Sequence, residues 1–554
     1  MLLQRKCLKR MAAALAVGVL CITSGAGAVQ AKEQPTAEQA APGLVVGRLA
    51  HNMSWINVYF LRFNSLSAKG GPKNSSVTFE MEPAMSGLGT KQTTFYFAKR
   101  LPAGKYQLTG LGSINGAMTT ESKLDASIPT FEVTSGGVTD LGLLVVQPTG
   151  GGKAVLLPVD DPSPVDELVR TYFPDEVAAA SGAVTRWPGV ATWAAQPFTY
   201  GDTDSGLGMV VDAINAGIEK GNRLKAQARW QEAKTAADYL AIAKTATTML
   251  SEPAVAADGT MYFGSGLGQV QRRAPDGTWS HIDSGLSVEI SALSLLPDDT
   301  LAIGTEDGRL LRQESAGGKF VPASRFTPTT RVLDLHQWAD GTWWVTTRVQ
   351  QGKDLLTNVH SGKSLAEIDT TTPVKTMSQA EAVSGFVVRP FFATSAGTKT
   401  KYFVGIAGVE SHTYDSATAT WTSLAKKAAL QPIANNTGSV LVNMKSDQFS
   451  TDEGASWSAF KDPGRAHFVA FFNPTEGLAV RTPTSAFAAP DMEVHATTDG
   501  GKTWSLLSTL PKSPCDLRSL RQNDVQKRIF CVFHDGSIHS AGMQGGWVPE
   551  RIVY

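Results

Sequence analysis

The chain has 554 residues, of which 42% are hydrophobic and 18% charged, and its 50 lysines and arginines are matched by 50 aspartates and glutamates. A length of this order overfills a single hydrophobic core, so roughly two to four domains are expected. A net charge of zero excludes the basic footprint of a nucleic-acid binder.

The first stretch reads as an export signal. "MLLQRKCLKRM" supplies Arg5, Lys6, Lys9 and Arg10, "AAALAVGVLCI" is an apolar run of h-region length, and "TSGAGAVQAKE" offers an A-x-A site at Ala26–Ala28 with a second ending at Ala31. Residues 1–31 are therefore expected to be a Sec-type signal peptide, which makes the mature chain extracytoplasmic, periplasmic or secreted, in a bacterial host. No later stretch reaches the roughly 18 apolar residues of a bilayer span, so no integral membrane segment is expected after cleavage. A bulky Leu20 before Cys21 argues against a lipoprotein.

Cys7 and Cys21 leave with the signal. The remaining pair, Cys515 and Cys531, lies 16 residues apart in an oxidising compartment, and a disulfide is expected. His534 and His539 stand nearby, but no second Cys/His cluster completes four ligands, so no metal is expected. The chain also lacks G-x-S-x-G, H-E-x-x-H and P-loop patterns, and no cofactor is expected.

Residues 32–43, "KEQPTAEQAAPG", read as a flexible leader. From 44 to 158 the signal is β. "WINVYFLRF", "SSVTFEM", "TTFYFAKRL", "KYQLTGLG", "TFEVTSG" and "DLGLLVVQP" are short apolar or alternating runs parted by turn residues, which predicts a small β-sandwich. "FAKRLPAGKYQLTGL" followed by "FEVTSGGVTDLGLLVV" resembles the carboxypeptidase-regulatory, transthyretin-like sandwich modules of secreted proteins, which implies an accessory, non-catalytic role. Met81, Met85 and Met118 read as core filling.

Residues 159–250 predict an α-helical connector. Ser163, Pro164 and the acids of "SPVDELVRTYF" form a helix start. Val211, Ile214 and Ile218 make one apolar stripe, and Ala226, Trp230, Ala233, Ala237 and Leu240 make another at helical spacing.

From 251 to 554 the chain repeats. "AADGTMYFGSGLGQVQRRAPDGTWSHI" and "LPDDTLAIGTEDGRLLRQESAGGKFVPA" share a grammar of turn, strand, turn, strand and aromatic. Asp258, Asp299 and Asp340 fall at steps of 41, and the aromatics Trp279, Phe320, Trp421, Trp457, Trp504 and Trp547 continue a column that one unit, about 330 to 370, lacks. A period of about 40 residues with several strands per unit is that of a β-propeller of the WD40 or YVTN-like kind, here with about seven blades. The fold class is mainly β: a C-terminal propeller preceded by a small sandwich and a helical connector.

Two stretches carry the pattern Ser/Thr-x-Asp-x-Gly-x-Ser/Thr-Trp: "STDEGASWSAF" with Ser450, Asp452, Gly454, Ser456 and Trp457, and "TTDGGKTWSLL" with Thr497, Asp499, Gly501, Thr503 and Trp504. "APDGTW" (274–279) and "YDSATATW" (414–421) are degenerate copies. The pattern resembles the Asp-box, or BNR repeat, of sialidase, sortilin and photosystem-assembly-factor propellers. Physically it is a hairpin device: Asp accepts backbone N–H bonds, Gly admits positive φ and Trp covers the neighbouring strand.

The resemblance implies one enzymatic alternative, a sialidase-like glycoside hydrolase with an arginine cluster, a Tyr/Glu nucleophile pair and an acidic Asp. An Arg-Ile-Pro tripeptide is absent, and Tyr262, Tyr402 and Tyr414 read as ordinary strand residues. The preferred expectation is a non-catalytic binding scaffold holding a protein or glycan ligand on a propeller face. His336, Trp338, Arg389, Arg518 and Arg521 are candidates for that surface. A structural component of the cell envelope is the third reading.

Overall fold

The computed structural model describes residues 41–51, 60–66, 75–78, 94–115, 118–125, 128–150, 153–159, 173–175, 184–189, 195–199, 230–246, 251–351, 354–380, 393–406, 410–424, 432–434, 440–443, 446–464, 466–482, 491–510, 515, 519–532 and 537–551. The signal reading, the leader reading up to residue 40, the helix start at Ser163 and Pro164, the stripe at 211–218, and Arg389, Arg518, Met81, Met85 and His534 lie outside the described residues. The leader is one residue shorter than expected, because Gly43 already begins the first strand. Residues 41–554 form one compact unit.

The first part of that unit is two sheets facing each other. Strands β1 (Gly43–His51), β4 (Thr94–Leu101), β8 (Val138–Gly150), β9 (Lys153–Val159), β10 (Val184–Arg186) and β11 (Gln196–Thr199) build one; β2 (Phe60–Ser65), β3 (Ser75–Thr78), β5 (Gly104–Asn115), β6 (Met118–Lys123) and β7 (Phe131–Val133) build the other. Their shared core holds Val45, Leu49, Phe95, Phe97, Leu144 and Leu156 from the first sheet and Leu61, Phe63, Tyr106, Leu111 and Phe131 from the second. The expected mainly β fold class is thus realised.

Side chains alternate faces along a strand, so the other half of the first sheet must be accounted for. Ala50, Leu143, Val145, Val155, Leu157 and Val159 point away from the sandwich core and pack with Met261, Phe263, Leu267, Phe530, Val532 and Ile538 of the propeller. This sheet is covered on both sides. That is why "LGLLVV" and "AVLLPV" are continuous apolar runs rather than alternating ones, and why the central pair β1–β8 can be parallel. Gly47 is needed for its size: a Cβ there would stand 2.5 Å from the Phe97 ring.

The connector's α-helix described from end to end is α1 (Ala236–Thr245), and residues 230–232 ahead of it are helical too. Thr235 and Asp238 close a capping box, Asp238 N donating to Thr235 Oγ1 at 3.1 Å and Thr235 N to Asp238 Oδ2 at 2.8 Å. The predicted stripe from Trp230 to Leu240 therefore does not run along one helix, because the box starts a new one at Ala236. Trp230 instead folds back to stack on Tyr239, ring centroids 5.9 Å apart, within the core shared by sandwich and propeller.

Among the described residues the rest of the chain forms seven four-stranded antiparallel sheets, each from one unbroken stretch: 254–283, 290–325, 331–380, 393–424, 432–459, 466–510 and 521–551. They are the blades of a β-propeller. The aromatic column falls at the start of each outer strand: Trp279 opens Trp279–Asp283 and Phe320 opens Phe320–Arg325, while Trp457 and Trp504 immediately precede Ser458–Ala459 and Ser505–Leu510. In the third blade, where the column is missing, a 3-10 turn at Leu365–Glu367 brings in Leu365 and Ile368 to bury instead.

The Asp column needs one correction. Thr260 N and Thr342 N donate to the carboxylates of Asp258 and Asp340, but Thr300 N donates to Asp298, not Asp299. Asp299 has φ 59° and occupies the place that Gly259 and Gly341 hold in the first and third blades. The equal spacing of 41 mixed two positions of the same turn.

Among the described residues no strand is exchanged between the first and last blades. The ring closes through side chains: Asn523 Nδ2 to the Gly259 carbonyl at 3.0 Å, Arg521 Nε to the Ser251 carbonyl at 3.0 Å, and an Arg273–Glu550 ion pair. Cys515 and Cys531 are disulfide-bonded, as expected, tying the entry of the last blade to its second strand.

Candidate functional site

An antiparallel meander puts the turns between strands 1–2 and 3–4 of every blade on one face and the 2–3 hairpins and blade-to-blade connections on the other. The two faces have different fates here. On the first face lie the sequence motifs; on the second, over the last, first and second blades, lies the sandwich.

The two complete motifs adopt the same bonding. Ser450 Oγ donates to Asp452 Oδ1 at 2.8 Å and accepts Gly454 N at 2.8 Å, while Asp452 accepts Ser456 N at 2.8 Å and Ser456 Oγ at 2.5 Å. Thr497, Asp499, Gly501 and Thr503 repeat the set, with Gly501 N to Thr497 Oγ1 at 2.9 Å and Thr503 N to Asp499 Oδ1 at 3.0 Å. Hydroxyl and amide donors hold both carboxyls at a pKa of about 2. Asp276 and Asp415 of the degenerate copies accept the amide two residues ahead, an ordinary Asx turn.

Each complete motif also touches the preceding blade. Glu453, at φ 56°, accepts Thr398 Oγ1 at 2.9 Å and a bond from Thr400, both on the fourth blade. In the next blade, Lys461 N donates to the Gly501 carbonyl at 2.8 Å and Trp504 Nε1 returns a bond to the Lys461 carbonyl at 2.6 Å. The motif carboxylates are committed to turn closure.

The candidate surface residues that can be placed fall far apart. His336 and Trp338 belong to an aromatic cluster between the third and fourth blades. The His336 ring lies 4.7 Å from Trp338 and 5.5 Å from Tyr402, and Trp338 is 8% exposed and 5.2 Å from Trp344. Burial drives the His336 pKa down to about 4, so the ring is neutral at pH 7. Arg521 stands far off in the sequence of blades, at the closure joint. Nothing among the described residues brings the three together.

The sequence missed two buried polar groups. Tyr402 donates to Asp334 Oδ2 at 2.9 Å and exchanges a bond with Thr346 Oγ1 at 2.6 Å; burial raises the Asp334 carboxyl to about 6 and pushes the tyrosine well above 10. A Tyr–carboxylate pair resembles a nucleophile and its base, but Tyr402 is 0% exposed and no substrate atom can approach it. The second group lies under the sandwich: Glu289, Glu306, Asp307, Arg309 and Arg331 of the propeller with Arg48, Thr94 and Tyr96 of the sandwich. Its one signal was Arg48, a charge inside the apolar run "LVVGRLA". Among the described residues no group of three or more His, Cys, Asp or Glu side chains could hold a metal ion, and no helix is long and apolar enough to cross a membrane.

No family model and no curated protein matches the sequence. Solved structures similar to it include YCF48 bound to D1 peptide (12% identity, 53% of this chain and 94% of that one, TM-score 0.36). Others are virginiamycin B lyase from Staphylococcus aureus (11% identity, 54% and 94%, TM-score 0.33) and the Cps50 (Swd1) β-propeller domain of Myceliophteria_thermophila (13% identity, 52% and 95%, TM-score 0.33).

Proposed function

We propose that this chain is an extracytoplasmic, non-catalytic scaffold that presents its propeller to a protein or glycan partner. One observation carries the reading: the recurrent carboxylates, the residues most suggestive of chemistry, have their oxygens occupied by donors of their own turns. A general acid or nucleophile needs an oxygen free to face substrate. We read the two complete motifs as Asp-boxes with a structural role, and the sandwich as a transthyretin-like accessory module. Export rests on the cationic and apolar N-terminus, and the Cys515–Cys531 disulfide suits the same compartment.

The test uses purified full-length mature protein. Affinity capture from the envelope fraction of the producing organism is expected to retain a specific partner that a similarly sized unrelated propeller does not. Turnover of 4-methylumbelliferyl sialosyl or other glycosyl substrates, abolished by Asp452→Asn or Asp499→Asn in a variant that stays folded, would replace this reading with the hydrolase.

A further inference from the structure

At the rim of the second blade, beneath the sandwich, two glutamates share one arginine. Glu289 N donates to Glu306 Oε1 at 3.2 Å, and Glu306 N donates to the Glu289 carbonyl at 3.1 Å, so the backbone locks the two residues together. Arg331, from the third blade, bonds Glu289 directly but reaches Glu306 only at 3.8 Å. These three side chains are at most 4% exposed.

The sandwich closes over them. Thr94 lies beside the Glu306 carboxyl, and Tyr96, the cross-strand neighbour of Arg48, feels the charges of Asp307, Glu306, Arg48 and Arg309. Arg309 is already bound to Asp307, at 3.1 Å and 2.6 Å, and Arg348 faces Arg331 across the strand pair of the third blade. The other end of the same sheet is different in kind. Leu143, Val145, Val155 and Leu157 meet Phe263, Phe530 and Ile538 there through apolar contact.

We propose that the sandwich is a lid held by a proton: a neutral Glu306 carboxyl seats its Arg48–Tyr96 edge on the second blade, and loss of that proton lifts this edge while the apolar end over the first and last blades stays as the hinge. Two ionised carboxylates around one guanidinium, cut off from water, repel each other and lack solvation. Admitting water relieves both, and the sandwich is what keeps water out. The electrostatics run the same way. Burial first, then the charge of Glu289, push the Glu306 carboxyl up to about 8, against the pull of Arg331 and of the nearby Thr94 hydroxyl. A carboxyl raised on folding favours the seated state fully below its unfolded pKa of about 4.5 and loses that contribution as pH rises through about 8.

Hydrogen exchange on the full-length chain from pH 5.5 to 9, corrected for intrinsic exchange, tests this. Peptides covering 286–308 are expected to lose protection by about tenfold or more above pH 8 relative to the sixth-blade strands at 466–481, the size of a shift of one pK unit or larger. Glu306→Gln keeps the neutral shape and is expected to make the ratio independent of pH. Glu289→Gln, which removes the like charge, is expected to shrink the pH effect. A flat wild-type ratio overturns the proposal, and so does a Glu306→Gln protein that folds and keeps the wild-type pH profile. If Glu306→Gln fails to fold, the wild-type series still decides: a loss confined to 286–308 supports the lid, and a loss shared equally with the sixth blade overturns it.

Discussion

Arg273 of the first blade grips Glu550 of the last with two bonds, Nε to Oε2 at 2.9 Å and Nη2 to Oε1 at 3.1 Å, while its remaining nitrogen takes Gln526 Oε1 at 2.7 Å. The guanidinium also lies 5.1 Å over the Phe530 ring. Since the described strands of the two blades are not shared, this pair is one part of the polar seam of the ring, and its side chains are 5% and 8% exposed. Arg273→Met removes the two-pronged partner of a buried carboxylate, leaves it Arg528 at 3.3 Å and Ser540, and is expected to cost about 3 kcal/mol in urea unfolding. Arg273→Met combined with Glu550→Leu is expected to recover only part of that, because Arg528 then loses its own carboxylate partner.

Acid should act on the turns. Asp452 and Asp499, with pKa values of about 2, stabilise the folded chain fully above the ordinary aspartate pKa of about 4, and that contribution disappears as pH falls through about 2. Asn at either position is expected to lower the melting temperature at pH 7 and to flatten the fall in stability between pH 4 and 2. Thermal melts followed by tryptophan fluorescence across that range measure both.

Gly397→Ala is expected to destabilise by about 1–3 kcal/mol, the usual cost of overpacking. Its Cβ would collide with His336 Nδ1, and the imidazole is wedged between Trp338 and Tyr402 with no room to retreat. Gly545→Ala meets nothing within 4 Å and is the matched control. Urea denaturation of the two variants separates the site from the substitution.

Removing the disulfide as Cys515→Ala with Cys531→Ala is expected to cost about 3 kcal/mol, the loop-entropy value for a separation of this size. Cys531 is fully buried, so thiol reduction of the native protein is expected to be slow and to accelerate with sub-denaturing urea. Mass spectrometry of alkylated samples reads that rate.

The propeller was legible because each blade makes the same local demands, and Trp279, Trp504 and the Asp-Gly turns record them at a fixed period. The slip at Asp299 shows the limit: a turn needs a carboxylate and a residue at positive φ, and aspartate can supply either. Thr235 and Asp238 carried a helix-start signal that the apolar stripe around them obscured. His336 and Trp338 looked like surface candidates because a polar or amphipathic residue in a strand has no sequence mark of which way it faces. Pairings distant in sequence left no trace at all. Glu289 with Arg331 and Arg273 with Glu550 exist only once the blades are set side by side.

The sheet with propeller on one side and sandwich core on the other alters what counts as a part of this protein. A cut at residue 250, where the repeat begins, follows the rhythm of the sequence and severs a core that both halves share. Either fragment would meet solvent with Leu143, Val145 and Leu157, or with Phe263 and Phe530, bare. What reads as a string of modules is, in cohesion, a single indivisible body, and grafting the ring elsewhere would require bringing the sandwich with it.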